Sequence, residues 1–402
     1  MHTHPKCENS KISVSFENTA VAFKNKSNRE LLLAYIIFSL TKNPFLVKFL
    51  SQAAKWTMAI GLPVKPLIKA TVFKQFCGGE KKEEYLNVIG KLGRAAIGTI
   101  LDYSIEGRQD EDVFEDTQKE LLNIIAQARK NDNIPCTCMK MTAIGSGDLL
   151  AKVTAGETLS KGEKQAWEKL IARLDGICRA ACEAGKPIYI DAEESWIQGS
   201  IDNLDEQMML KYNREKAIVF TTLQLYRWDR IDYLNKLIDQ ARSQSYRLGI
   251  KIVRGAYLEQ ERERAGEFGY PSPVNSSKAA TDDEYNTAIN VFIDNIDAVE
   301  ICLGTHNESS CQLLMNCMAA KEIPNNHPHI CFSQLFGMSD NISYNLAQAG
   351  YNVSKYLPFG PVESTLPYLA RRAEENTAIA GQMSKELEII VKERNRRKTA
   401  HS

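Results

Sequence analysis

The chain has 402 residues, of which 44% are apolar and 25% charged, proportions typical of a soluble globular protein. Lysine and arginine together number 50, the same as aspartate and glutamate, so the formal net charge is zero. Because a nucleic-acid-binding surface normally needs a basic excess, this balance argues against nucleic acid as a partner.

The N-terminal region lacks the features of a targeting sequence. Positions 1–28 contain no apolar core of the length that a signal peptide needs, and the first arginine is Arg29. Glu8 and Glu17 also disfavour a mitochondrial transit peptide, which is poor in acidic residues. We therefore expect a cytoplasmic protein, with peripheral attachment to the inner membrane as the alternative.

Residues 1–95 are expected to form an N-terminal helical arm. Apolar residues recur at helical spacing over positions 27–75, and Pro44, Pro63 and Pro66 mark boundaries. Lysines lie between the apolar residues, which leaves two interpretations open. They could form a basic amphipathic face for a membrane surface or, as we favour, the solvated face of a helical arm.

From about residue 95, short β-rich segments alternate with amphipathic helices, predicted at 112–130, 161–184, 229–248 and 283–296. Eight strands are predicted, at 97–103, 136–143, 187–191, 217–223, 249–253, 299–304, 329–332 and 351–355. Strands separated by helices pair in parallel, and eight such units close into a (β/α)8 barrel, here assigned to residues 96–385. An open doubly wound sheet is the alternative, but no G-x-G-x-x-G follows the first strand.

The C-terminal part contains one more predicted helix and a tail. The helix begins near Glu363, includes two adjacent arginines and ends near Ala380. Residues 386–402 are expected to form a polar tail that frays from Lys392 onward, because its composition is polar and basic.

The ten cysteines do not predict a metal site. None forms a C-x-x-C pair, the short spacing that zinc sites favour. We interpret them as small buried apolar residues in a reducing compartment.

In a barrel of this type the active site lies at the carboxyl ends of the strands, so polar residues at the strand exits are the candidates. They are Asp102, Glu106, Lys140, Asp191, Glu193, Gln224, Lys251, Arg254, Thr305, His306, Gln334 and Tyr356. Any one of them could be a solvated loop residue. Their coincidence at eight exits favours a functional site.

The segment from Lys251 to Tyr257 is the most informative strand exit. Gly255 allows a ligand to approach the backbone closely. Lys251 lies within an apolar run, and an ammonium inside the barrel would require an anion or an electron-rich cofactor. A lysine that faces outward is the alternative, since alternation alone does not decide its direction.

The predicted C-terminal helix carries a second candidate site. Tyr368, Arg371, Arg372 and Glu375 are spaced to lie on one helix face. Because a guanidinium fork binds a carboxylate through two hydrogen bonds, the arginine pair suits a carboxylate ligand. An ordinary surface helix with Arg–Glu pairs is the alternative.

With these segments in view, the chain resembles the proline dehydrogenase family, especially its monofunctional bacterial members, over nearly its whole length. The matching segments, in order, are 76–80, 101–106, 140–143, 191–194, 222–224, 251–257, 304–307, 335–338 and 356–376. One segment alone would be weak, but their order and their barrel positions make the resemblance specific. It implies oxidation of L-proline to Δ1-pyrroline-5-carboxylate by FAD in proline catabolism, with a membrane quinone as the electron acceptor.

The resemblance also implies roles for residues around the substrate. The proline carboxylate would be bound by Lys140, Arg371 and Arg372. The walls of the pocket would be Tyr257, Leu335, Tyr356 and Tyr368. Asp191 resembles the active-site acid and should orient Lys140 or a neighbouring residue. Glu106 resembles the acid that pairs with Arg371 to gate the pocket.

For FAD, the resemblance implies contacts from Ala192, Gln224, Arg254, Gly255, Ala256, Thr305 and His306. Glu375 would support the arginine face or the flavin chain. Lys251 should lie near flavin N5, where many bacterial relatives carry arginine. The positive charge is kept, although lysine lacks the guanidinium fork.

The substrate and the class of protein retain alternatives. Family members that prefer hydroxyproline tend to carry a smaller residue at the position of Tyr356, so the tyrosine favours unmodified proline. A hydroxyproline dehydrogenase or another flavin-dependent barrel oxidoreductase is the alternative enzyme. A regulatory DNA-binding protein is disfavoured by the neutral charge.

Overall fold

The computed structural model describes residues 14–41, 64–103, 110–365, 369 and 382–400. Within these residues, eight strands close into a barrel in sequence order, and every recorded pairing of neighbouring strands is parallel. The strands are β1 Ile97–Tyr103, β2 Cys136–Lys140, β3 Ile188–Asp191, β4 Val219–Gln224, β5 Leu248–Val253, β6 Val299–Gly304, β7 Ile330–Leu335 and β8 Val353–Phe359. The predicted (β/α)8 barrel is therefore confirmed.

Helices precede and separate these strands. Those before β1 are α1 Thr19–Ala22, α2 Asn28–Thr41, α3 Lys65–Ile68, α4 Lys74–Phe76 and α5 Lys82–Gly93, with a π-helical turn over Lys69–Phe73 between α3 and α4. Those from β1 to β8 are α6 Glu111–Arg129, α7 Gly147–Thr154, α8 Lys161–Ala184, α9 Ser195–Tyr212, α10 Arg230–Ser243, α11 Leu258–Phe268, α12 Lys278–Asp294, α13 Glu308–Ala320 and α14 Asp340–Gln348. After β8 comes α15 Gln382–Thr399. Among the described residues, none of the helices has both the length and the apolar character to cross a bilayer.

Local sequence signals explain where these elements begin and end. At the start of α8, the Ser160 hydroxyl accepts a hydrogen bond from the Glu163 N–H (3.3 Å), and the Glu163 carboxylate accepts one from the Ser160 N–H (2.8 Å). The helix ends at Gly185, whose φ of 65° suits a left-handed C-cap. In the barrel, β4 is buried along its whole length, as expected for a parallel strand covered on both faces.

The described residues divide into two compact units. One unit comprises residues 110–333, which include β2 to β6 and most of β7. The other comprises residues 14–41, 64–103 and 334–400 as far as they are described, and it includes β1, β8 and the terminal helices. Each unit has its own network of contacts around strand ends.

Much of the segment expected to be a polar tail, 386–402, is helical, because α15 extends to Thr399. Ile389 and Ile390 of α15 are buried against Leu31 and Phe38 of α2. The Arg397 guanidinium donates to the backbone oxygens of two residues near α2 (2.7 and 2.8 Å). The helix is therefore stabilised by tertiary contacts that the polar composition did not reveal.

Most of the described cysteines are buried, as predicted. Cys182 is exposed and Cys331 is half-buried. In the described ranges, no three His, Cys, Asp or Glu side chains form a group suited to a metal ion.

Candidate active site

The barrel places the predicted residues of the first unit at the carboxyl ends of its strands. Lys140, Asp191 and Gln224 are the last residues of β2, β3 and β4. Lys251 lies within β5, and Thr305 directly follows β6. Because the strands are parallel, these side chains gather at one rim, where the active sites of such barrels lie.

A buried ion pair lies at the centre of this rim. The Lys251 ammonium donates to the Asp191 carboxylate, and the side chains are 5% and 19% exposed. Asp191 is on β3 and Lys251 on β5, so the pair spans β4 across the inside of the barrel. The structure therefore excludes a Lys251 side chain that faces outward. It shows that the ammonium pairs with a carboxylate inside the barrel.

Glu193 forms a second buried acidic centre beside Asp191. Its carboxylate accepts hydrogen bonds from the Thr142 N–H (3.0 Å) and the Thr142 hydroxyl (2.5 Å). Burial raises the pKa of Glu193 to about 7, against the opposing effects of the Lys140 ammonium and of Thr142. The strand-exit pattern identified Glu193 as a candidate but gave it no role. No feature of the sequence indicated that Glu193 contacts the segment after β2.

Gln224 joins two of the segments predicted to contact the flavin. Its side-chain amide donates to the Glu193 carbonyl (2.7 Å), and its side-chain oxygen accepts from the Ala256 N–H (3.0 Å). Between the strand end and Ala256, Gly255 has a φ of 136°, a conformation that favours glycine. The segments after β3 and β5, which contain Ala192 and Ala256, are therefore held in a fixed relation.

Arg254 connects β5 to the segment after β6. Its guanidinium donates to the carboxylate of Asp282 (2.7 Å) and to the hydroxyls of Thr305 (2.9 Å) and Ser310 (3.0 Å). It also lies over the Tyr285 ring, 4.3 Å from the centroid. The predicted cofactor residues Arg254 and Thr305 are thus in direct contact, and His306 follows them as a half-buried residue.

The predicted pocket walls fall in both units. In the first unit, Tyr257 is buried and directly precedes α11. In the second, Leu335 ends β7 and Tyr356 lies buried in β8. These two are adjacent, because the Phe336 N–H donates to the Tyr356 carbonyl (2.8 Å).

Five predicted site residues lie outside the described residues. They are Glu106, Tyr368, Arg371, Arg372 and Glu375. The arginine clamp, meaning the proposed binding of the substrate carboxylate by Arg371 and Arg372, and the gate at Glu106 therefore stay predictions. Lys140 is the member of the predicted carboxylate site that the structure describes.

The donor set of the first unit fits a flavin. It combines the buried ammonium of Lys251, the guanidinium of Arg254, the amide of Gln224 and the backbone at Gly255. Cations and amides of this kind suit an electron-rich ring that becomes anionic on reduction and a chain that carries phosphates.

Comparisons with known proteins give matches over most of the chain. Residues 85–385 match the sequence model of a family described as proline dehydrogenase. The carbapenem antibiotics biosynthesis protein CarD of Pectobacterium carotovorum subsp. carotovorum is 33% identical over 322 residues, covering 80% of this chain and 83% of that protein. Proline dehydrogenase 1, mitochondrial, of Dictyostelium discoideum is 32% identical over 428 residues, and the match covers 94% of this chain and 74% of that protein.

Solved structures show the same fold. Proline utilization A from Bdellovibrio bacteriovorus has a TM-score of 0.72 to this chain, with 20% sequence identity. The similarity covers 94% of this chain but 40% of that longer protein. At this level of identity the likeness supports the barrel and its strand order.

Proposed function

The chain belongs to the proline dehydrogenase family, and from that premise we propose that it oxidises L-proline to Δ1-pyrroline-5-carboxylate with FAD in proline catabolism. The observation that carries the proposal is the buried Asp191–Lys251 pair, which lies at the carboxyl-end rim of the barrel within the matched region. A cation paired with a carboxylate at the strand-end rim is a candidate for a functional role, because ionisable groups with buried charge partners concentrate at functional sites.

In the proposed reaction, proline loses a hydride from the ring carbon beside nitrogen and a proton from nitrogen, and a C=N bond forms. Bound FAD would supply the two-electron acceptor for that hydride. Lys251, held by Asp191, would place a positive charge where the reduced ring carries negative charge. Gln224, Arg254, Gly255, Ala256, Ala192, Thr305 and His306 would bind the cofactor.

Cationic and aromatic side chains are proposed to orient the substrate. Lys140, together with Arg371 and Arg372, would bind the proline carboxylate, because charge-assisted hydrogen bonds orient a small acid strongly. Family members that prefer hydroxyproline tend to carry a smaller residue at the position of Tyr356, so the tyrosine would leave little room for a ring hydroxyl. We therefore propose L-proline rather than hydroxyproline as the substrate.

The electron acceptor is proposed to be a quinone, reduced to the quinol as two electrons and two protons leave the enzyme. This step rests on the family resemblance, and with it we propose a peripheral contact with the membrane.

A steady-state assay tests the proposal. The enzyme with added FAD should couple L-proline oxidation to reduction of a soluble quinone, with equal amounts of quinol and pyrroline product. Lys140→Met and the double variant Arg371→Met/Arg372→Met should each lose most of kcat/KM, because the first removes one cation from the carboxylate and the second removes two. Wild-type turnover in the double variant would rule out the clamp, and no proline-dependent quinol in the wild type would refute the proposed function.

A further inference from the structure

The segment after β7, residues 336–339, is held in place by hydrogen bonds of its residues. It directly follows Leu335, the last residue of β7 and a proposed wall of the substrate pocket. The Leu335 and Met338 carbonyls both accept from the Lys355 ammonium, at 3.4 Å for Leu335. The Gly337 carbonyl accepts from the side chain of Gln75 (2.8 Å). This segment is therefore built as a fixed support and not as a free loop.

The last residue of the segment, Ser339, depends on the C-terminal helix. Its φ of 48° is unusual for a residue with a side chain. Both its N–H and its hydroxyl donate to Glu386 Oε1, at 2.5 and 3.0 Å. Because Glu386 is buried on α15, one carboxylate oxygen holds Ser339 in this conformation.

A buried charge cluster at Asp340 lies directly after the same segment. The Lys355 side chain is fully buried and lies 3.0 Å from Asp340 Oδ1, while Lys26 lies 2.8 Å from Asp340 Oδ2. Burial opposes ionisation of Asp340, but Lys26 and Lys355 lower its pKa to about 2. Asp340 therefore stays ionised, and its contacts with the two lysines fix the start of α14.

Apolar packing connects Leu335 itself to the terminal helices. Leu335 packs against a buried cluster that contains Phe38 of α2, Met338, and Ile389 and Ile390 of α15. Glu386 directly follows the family-matched region, which ends at residue 385. The terminal helices thus pack against Leu335, which the proposed function places in the wall of the substrate pocket.

We propose that Glu386 is a positioning residue for substrate binding: through Ser339 it holds the segment after β7 and so sets Leu335 in the pocket wall. This inference rests on the proposed function, in which Leu335 contacts proline. Glu386 touches neither proline nor flavin, so its removal should weaken proline binding and leave the chemical step intact.

The test compares KM with kcat in full-length, FAD-loaded protein. Glu386→Ala removes the acceptor for both Ser339 hydrogen bonds, and we expect KM for L-proline to rise about 5-fold or more, with kcat within about 2-fold of wild type. Glu386→Gln keeps a side-chain oxygen that can accept both bonds and should restore KM. Glu388→Ala, at an exposed position of the same helix, is the matched control and should leave KM unchanged.

Stability is measured in parallel to separate positioning from folding. If Glu386→Ala does not fold, Ser339→Ala removes the hydroxyl bond alone and should still raise KM by about 2-fold. A wild-type KM in Glu386→Ala despite a lowered melting temperature would overturn the inference, and so would an equal rise of KM in Glu388→Ala. These outcomes concern the variants, whereas absence of proline turnover in the wild type would overturn the proposed function and this inference with it.

Discussion

Replacing Asp191 by asparagine tests whether the Asp191–Lys251 pair is a buried ion pair. With side chains that are 19% and 5% exposed, the variant leaves an ammonium inside the barrel without its carboxylate. Breaking one partner of a buried pair costs about 3–5 kcal/mol. Because Asp191 keeps some exposure, we expect a loss near the lower end, about 3 kcal/mol of unfolding free energy.

The assay is urea unfolding followed by circular dichroism, with excess FAD so that all variants carry the same amount of flavin. The matched control is Asp191→Asn/Lys251→Met, in which methionine removes the unpaired ammonium. This double variant should be more stable than Asp191→Asn alone. A loss below about 1 kcal/mol in Asp191→Asn, as for exposed pairs, or a double variant less stable than the single one, would refute the argument.

Three further predictions concern stability. The pKa of Glu193 is raised to about 7, so the folded state binds its proton more tightly than the unfolded state; stability should fall as pH rises from about 4.5 to 7, by roughly 3 kcal/mol. Glu193→Gln should remove that part of the pH dependence of the unfolding free energy. If urea unfolding shows the same pH dependence in this variant as in the wild type, the prediction is contradicted. Gly255→Ala should cost at least about 2 kcal/mol, because φ is 136° and a Cβ would lie 2.3 Å from the Tyr226 ring. Gly156→Ala, at a φ of 71° with open space around it, should cost less in the same assay. Ser160→Ala should cost about 1 kcal/mol through loss of the N-cap of α8, and a melting temperature equal to wild type would count against it.

The barrel was predictable because each strand is a short apolar run between helices. The bounds of β1 and β6 agree with the prediction, whereas β7 and β8 continue beyond their predicted ends. Polar residues such as Gln334 gave no sign that the strands continue, since buried polar residues are uncommon. In the fold, Gln334 accepts from the Ser343 hydroxyl (2.7 Å) and Lys355 pairs with Asp340, so both side chains are buried within the strands.

The helix α15 was missed for a different reason. Its polar and basic composition is typical of a fraying tail, and its few apolar residues were too sparse to indicate a core. Its stability comes from contacts with residues more than 300 positions away, such as those between Ile390 and the α2 side chains. Local patterns cannot reveal such contacts.

The candidate site was predicted as a set of positions but not as a network. Strand exits identified Lys140, Asp191, Gln224 and Lys251 because parallel strands deliver their ends to one rim. The partner of Asp191 was open between Lys140 and a neighbour. The structure gives Lys251, which is 60 residues away in sequence and two strands away in the barrel. The parallel pairing of β3 with β4 and of β4 with β5 brings the two residues together.

The most direct test of the central claim is anaerobic reduction of the bound flavin by L-proline. The purified protein loaded with FAD should show the oxidised flavin spectrum, and L-proline should bleach it while an equal concentration of hydroxyproline should not. Bleaching by L-proline would agree with the account, in which the rim around Asp191 and Lys251 binds flavin and substrate together. A protein that stays colourless after incubation with FAD, or a flavin that L-proline does not bleach, would contradict it.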